Sequence, residues 1–224
     1  MGEIAVTKKD SKGELEKYLG SREMLDSFKT VLPRFMTPER LLKAAMVAAS
    51  RTPKLYECTK MSLAQSLMRA AELGLDPSGT LGQGYLIPFF NSKINQTECQ
   101  FISGYQGLIE LCRRTGELAS IEARCVHEGD IFEREYGLEN KLRHIPDLDG
   151  DDRPIIAAYA VAVLKDGSKQ IEVMSKKQID GIRARSKAGN SGPWVTDFEE
   201  MARKTVIRRI VKYLPKSVDI IRAI

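Results

Sequence analysis

The chain has 224 residues, enough for one large or two small domains, and 42% hydrophobic with 29% charged residues is the profile of a soluble globular protein. The net charge of +5 is unevenly spread: residues 1–60 carry 12 Lys/Arg against 8 Asp/Glu, residues 61–150 carry 8 against 13, and residues 151–224 carry 15 against 9. No apolar run approaches the ~20 residues that span a bilayer, and the first 13 residues lack a signal-peptide core, so a cytoplasmic protein without a membrane partner is expected.

Residues 1–20 begin polar, and from Leu15 to Leu32 apolar residues recur at helical spacing, broken by Gly20 and Pro33. Thr37-Pro38-Glu39 is a helix start, with Thr as N-cap, Pro in the first turn and an acid beside it. A further helix runs from about Ser62 to Leu73 and is closed by Gly74. Tyr85–Phe90 and Glu98–Ile102 flank a polar tip and read as a hairpin, with Pro88 confining its strand to an edge or bulge. Ser103 caps a helix over about 104–115, closed by Gly116. Strands follow over 121–126, 131–136, 155–164 and 170–174, the last two joined by a turn centred on Asp166-Gly167. The acidic stretch from His144 to Arg153 reads as a loop. Capping boxes at Ser175/Gln178 and Thr196/Glu199 open two more helices, separated by a flexible Gly-rich loop from Lys187 to Trp194. The fold class is α+β: an antiparallel sheet with an embedded helix, flanked by N-terminal and C-terminal helices. The expectation is a single domain over 1–224, with a helical part at 1–60, a sheet-rich core at 61–174 and basic helices at 175–224.

The last helix concentrates charge. At about 100° per residue, Lys204, Arg208 and Lys212 form one stripe with Arg209 at its edge, and Val206, Ile207, Ile210, Val211 and Leu214 take the opposite arc. A ladder of cations suits a polyanion, nucleic acid above all, although charged outer faces also belong to ordinary surface helices. Lys176, Lys177, Arg183, Arg185 and Lys187 widen the patch. Arg203 falls among the apolar positions four residues after Glu199, which reads as a structural ion pair or as a ligand deep in a groove. Arg113 and Arg114 either offset a helix dipole or touch DNA. Tyr85, Tyr105, Trp194 and Tyr213 lie near this charge, and single-strand binders stack bases on such rings; core packing is the competing role for each.

Catalytic signatures are missing. The sequence has no Walker A motif, no dinucleotide fingerprint and no nucleophile elbow. The best enzyme candidate is the acidic stretch His127, Glu128, Asp130, Glu133 and Glu135, whose carboxylates suit the Mg2+ of a nuclease; the competing reading is a solvated strand or loop with alternating acids. Cys58, Cys99, Cys112 and Cys125 form no CxxC pair, and Cys125 with His127 lacks the second close pair of a zinc site. Scattered thiols of this kind read as reduced.

One ordered set of segments is more specific. Gly74-Leu75-Asp76-Pro77, Gly84-Tyr85-Leu86-Ile87-Pro88-Phe89, Gly104-Tyr105-Gln106-Gly107-Leu108-Ile109-Glu110-Leu111, Arg113-Arg114-Thr115-Gly116, Ala158-Tyr159-Ala160-Val161, Pro193-Trp194 and Glu200-Met201-Ala202-Arg203-Lys204-Thr205-Val206-Ile207-Arg208-Arg209 resemble, in order, the RecT family of phage recombinases. The resemblance implies a single-strand annealing protein that needs no ATP, coats single-stranded DNA, and assembles as a homo-oligomeric ring or filament in a bacterial host cell. It implies no bond-making chemistry and no required cofactor, with Mg2+ at most a counterion of the DNA. Implied partners are single-stranded DNA, the annealed duplex, a phage exonuclease and the host single-strand binding protein. The family's C-terminal partner-binding domain is expected to be absent here. The family's basic motif maps onto Arg203, Lys204, Arg208 and Arg209. From another class, a passive duplex-binding structural protein would use the same cations.

Overall fold

The computed structural model describes residues 8–147, 153–186 and 188–215, which fall into two compact units meeting at residues 111 and 112. The first unit opens with α1 (Lys8–Leu19), α2 (Arg22–Val31), α3 (Pro38–Arg51), a 3-10 turn (Pro53–Glu57) and α4 (Lys60–Leu73). Each helix start has a local cause. Ser21, Thr37 and Thr59 accept from the backbone N–H three residues on, satisfying donors that the first turn leaves open. The Thr59 cap starts α4 two residues before the Ser62 start expected from the apolar pattern. Gly74 ends it at φ 59°, with Leu75 N–H reaching Ala70 O at 3.0 Å, a closure that a left-handed residue permits. The core here gathers Leu19, Phe28, Leu41, Leu55 and Leu67.

β1 (Gly84–Asn91) and β2 (Gln96–Ser103) pair antiparallel as a two-stranded sheet, so Pro88 removes no central ladder bond. Helix α4 grips β2 through two serines one turn apart: Ser62 Oγ accepts from Cys99 N–H at 2.9 Å, and Ser66 Oγ donates to Cys99 O at 2.9 Å. Helix α5 (Tyr105–Arg114) follows at once and runs across the boundary. Its start lies against the preceding loop so closely that a Cβ on Gly104 would come within 2.0 Å of Gly82 O.

The second unit is built on a three-stranded antiparallel sheet in the order β3-β6-β7, from β3 (Leu118–His127), β6 (Ile155–Leu164) and β7 (Lys169–Ser175). A separate hairpin of β4 (Ile131–Glu135) and β5 (Lys141–Ile145) packs Phe132, Leu142 and His144 towards Tyr159. β5 corrects the reading of His144 and Ile145 as loop. Its alternation of exposed Lys141, Arg143 and Ile145 with half-buried Leu142 and His144 is that of a strand with one face covered. The described residues contain three antiparallel sheets and eight α-helices, an α+β arrangement. No helix among the described residues is long and apolar enough to cross a membrane.

Candidate nucleic-acid interface

The basic residues sit on α6 (Lys176–Arg185), α7 (Pro193–Thr196), α8 (Phe198–Ile210) and a closing 3-10 turn (Val211–Tyr213). α6 carries the expected capping box: Ser175 Oγ accepts from Gln178 N–H, and the Gln178 side chain accepts from Ser175 N–H. The second box does not form. Thr196 belongs to α7, its hydroxyl is turned to the Asp197 carboxylate, and Asp197 becomes the N-cap of α8 without a side-chain cap.

α8 lies across β3, β6 and β7. Ala158, Ala160 and Ala162 of β6 are fully buried, and Ala202, Val206, Ile207 and Ile210 of α8 are buried. The helix gives way to a 3-10 turn at Val211, one residue after its last buried isoleucine. Three residues per turn instead of about 3.6 carries Lys212 further round than the continuous stripe from Lys204 allows.

The predicted cations divide into two groups. Lys176 pairs with Asp180 at 2.6 Å, Arg209 with Glu172 of β7 at 2.7 Å, and Arg203 with both Glu199 and Glu200. The Glu172 contact follows from register: Glu172 stands opposite Ala160, on the sheet face that α8 covers. Arg183 Nε donates to Gly189 O at 2.7 Å and folds the loop back on α6. Among the described residues, Lys177, Arg185, Lys204 and Lys212 have no carboxylate partner. Lys177 and Arg185 are exposed on α6, with the open Gly181 between them at helical spacing. Lys204 and Arg208 are half-buried neighbours. Burial, and then the Arg208 charge, lowers the Lys204 pKa, and burial lowers that of Arg208. Such desolvated cations gain more from an arriving phosphate than solvated ones do.

Trp194 is 5% exposed and meets the Phe198 ring at 6.1 Å, so in this conformation it is a core residue with little face to offer a base. Tyr105 is half-buried in the first unit, and Arg113 and Arg114 are exposed at the end of α5. Lys187 lies outside the described residues. Tyr213, one of the aromatics that the sequence places near this charge, is 66% exposed beside Lys212. Its position past the end of α8 depends on the 3-10 turn, which residue spacing did not signal.

Three of the acids proposed for a nuclease, Asp130, Glu133 and Glu135, are engaged elsewhere. Asp130 accepts from the N–H of His127 at 2.7 Å, the N–H of Asp147 at 2.9 Å and the His144 ring at 2.9 Å. Burial alone would raise its pKa, but these donors outweigh it and hold it at about 2. Glu133 and Glu135 pair with Arg143 and Lys141. The described residues contain no group of three or more His, Cys, Asp or Glu placed to hold a metal ion. Cys125 donates to Glu199 O, and burial, reinforced by the Glu199 carboxylate, pushes its thiol up to about 12.

A family model described as RecT family matches residues 39–224, more than half of the chain. This protein belongs to the RecT family. It is 46% identical over 209 residues to Protein RecT of Escherichia coli (strain K12), covering 92% of this chain and 77% of that protein. It is also 26% identical over 197 residues to the Uncharacterized protein YqaK of Bacillus subtilis (strain 168), covering 86% of this chain and 64% of that one. Membership places the RecT-family chain among DNA-binding recombination and annealing proteins.

Proposed function

We propose that this protein binds single-stranded DNA by its phosphates and anneals complementary strands without ATP, acting as a homo-oligomeric ring or filament. The observation that carries the reading is the family match, which runs through the whole cation-bearing segment from α6 to the 3-10 turn. Phosphate contacts suit annealing because they hold the strand while leaving base edges free to test a partner. Cations also offset the repulsion between two strands brought together. Lys177, Arg185, Lys204, Arg208 and Lys212 supply the phosphate contacts, and Tyr213 offers a sequence-tolerant stacking face. No side chain makes or breaks a bond, and Mg2+ acts only as a counterion of the DNA. A phage exonuclease that exposes single strands and the host single-strand binding protein are the proposed partners.

The test mixes dye-labelled complementary oligonucleotides with the protein, without nucleotide triphosphate, and follows pairing by energy transfer. Accelerated pairing is expected. A passive duplex-binding protein leaves the rate of spontaneous pairing unchanged, and shortened strands in Mg2+ or Mn2+ would reveal a nuclease instead.

A further inference from the structure

Tyr85 carries an exposed ring that the fold already holds in place. Its backbone pairs with Ile102 of β2 and bridges to Ser78 of the preceding loop. The ring is bedded on three glycines: a Cβ would lie 3.1 Å from it on Gly79 and on Gly104, and 3.6 Å from its hydroxyl on Gly82. Gly79 and Gly82 also have φ of 77° and 64°, which other residues rarely adopt. Tyr85 nevertheless stays 40% exposed, and its hydroxyl has no hydrogen-bond partner among the described residues. A core tyrosine would be covered and its hydroxyl satisfied. A ring immobilised yet uncovered has little ordering entropy left to lose on contact.

The ring lines a cavity of about 160 Å³ within the first unit, together with Ala48 and Arg51 of α3 and with Pro77, Gly79 and Ile87. No acid lines it. Asp76, next to Pro77 in the chain, accepts from the Ser78 N–H at 2.7 Å. Arg51 is exposed and in no ion pair among the described residues, although Glu16 shares a neighbouring groove with it. Lys29, Arg34, Arg40, Lys43 and Lys54 are likewise exposed and in no ion pair, and Glu39 is the single acid over residues 29–56. Glu39 acts on Lys29 and Lys43 without pairing with either. A surface of that balance attracts an anion.

We propose that this cavity is a nucleotide subsite for single-stranded DNA, in which one base stacks on Tyr85 and an adjoining phosphate meets Arg51. A cation beside an exposed ring is the combination that holds single strands without regard to sequence, because every base has a π-face. Stacking covers that face and leaves the pairing edge of the base open, as annealing requires. The inference rests on single-strand binding in the proposed function and adds a contact from the first unit.

The test irradiates the full chain with short oligothymidylates that carry one iododeoxyuridine at successive positions, and maps the crosslinked peptides by mass spectrometry. A crosslink at Tyr85 is expected. By fluorescence anisotropy, Tyr85→Ala should bind the oligonucleotide at least about tenfold more weakly and Tyr85→Phe like the wild type, since stacking needs the ring and not the hydroxyl. On an abasic strand of the same length, the wild type and Tyr85→Ala should bind equally. Arg51→Gln should flatten the salt slope by about 0.7. Crosslinks elsewhere with none at Tyr85 overturn the proposal, as does Tyr85→Ala binding like the wild type or Tyr85→Phe binding as weakly as Tyr85→Ala. An equal loss on the abasic strand makes the role of Tyr85 structural and overturns it too. Should Arg51→Gln leave DNA binding unchanged yet abolish binding of an acidic peptide with an aromatic residue, the cavity belongs to a protein partner and the proposal again falls. A wild type that binds no oligonucleotide sinks single-strand binding itself, whereas a wild type that binds while the Tyr85 variants change nothing sinks only the subsite.

Discussion

The division of the cations into paired and unpaired groups makes a quantitative prediction. Lys177, Arg185, Lys204 and Lys212 lack carboxylate partners among the described residues, whereas Lys176 is neutralised by Asp180 at 2.6 Å. Each phosphate neutralised on a single strand contributes about 0.7 to the slope of log affinity against log salt. Replacing all four by Ala should therefore flatten the slope by about 3, which changes the ratio of affinities at 50 and 200 mM salt by about fifty-fold. Lys176→Ala should leave the slope where it was, because that charge is already spent within the fold. Fluorescence anisotropy of a labelled oligonucleotide across a salt series measures both, and circular dichroism verifies that the variants are folded. The loss should be the same for every sequence, since phosphates carry no base identity. A wild-type slope in the fourfold variant, or an equal loss from Lys176→Ala, refutes the reasoning.

Tyr213→Ala should weaken single-strand binding by roughly 1–3 kcal/mol while leaving thermal stability unchanged, given its exposure; equal affinity by anisotropy removes it from the site. Trp194 is the sole tryptophan and is buried, so its emission should be blue-shifted and insensitive to single-stranded DNA, and strong quenching on binding would place a base against it. Asp130→Asn should destabilise the protein by about 3 kcal/mol through loss of the buried carboxylate that serves three donors. Because folding lowers the Asp130 pKa from about 3.9 to about 2, the stability it contributes is complete above pH ~4 and lost as pH falls towards 2. An acid unfolding curve that the variant leaves unshifted over that window counts against the network. Ser62→Ala leaves the Cys99 N–H without its side-chain partner and should cost about 1–3 kcal/mol in chemical denaturation.

What the sequence made legible is local. Thr37-Pro38-Glu39, Gly74 and the Ser175/Gln178 box each act within one helical turn, and each behaves as its residue types require. The α+β order and the edge position of Pro88 followed from similarly short patterns. What stayed hidden depends on register and on partners distant in the chain. Arg209 reads as a DNA ligand until β7 places Glu172 on the face beneath α8. The role of Ser62 and Ser66 of α4 appears only when β2 brings Cys99 between them. β5 was obscured because the Pro- and acid-rich residues after Ile145 dominated the local pattern, although the alternation from Lys141 to Ile145 was visible.

The ion pairs also bear on why a protein of this kind would work as a polymer. Ten cations between Lys176 and Lys212 suggest a strongly charged strip, but Lys176, Arg203 and Arg209 are tied to acids of the same unit and Arg183 to its own loop. Among the described residues of this segment, four cations (Lys177, Arg185, Lys204 and Lys212) have no carboxylate partner, fewer than the 6–10 contacts of a salt-sensitive duplex binder. In the proposed assembly, grip on a long strand comes from many weak protomers held together, where each added subunit binds at the high effective concentration set by its neighbour. Weak contact per protomer also serves annealing, because a strand held at few points can shift until its bases meet their complements. A variant that adds charge, such as Glu172→Gln freeing Arg209, should accordingly bind single strands more tightly and anneal them more slowly. Tighter binding with unchanged or faster annealing would break the link between loose phosphate grip and strand pairing.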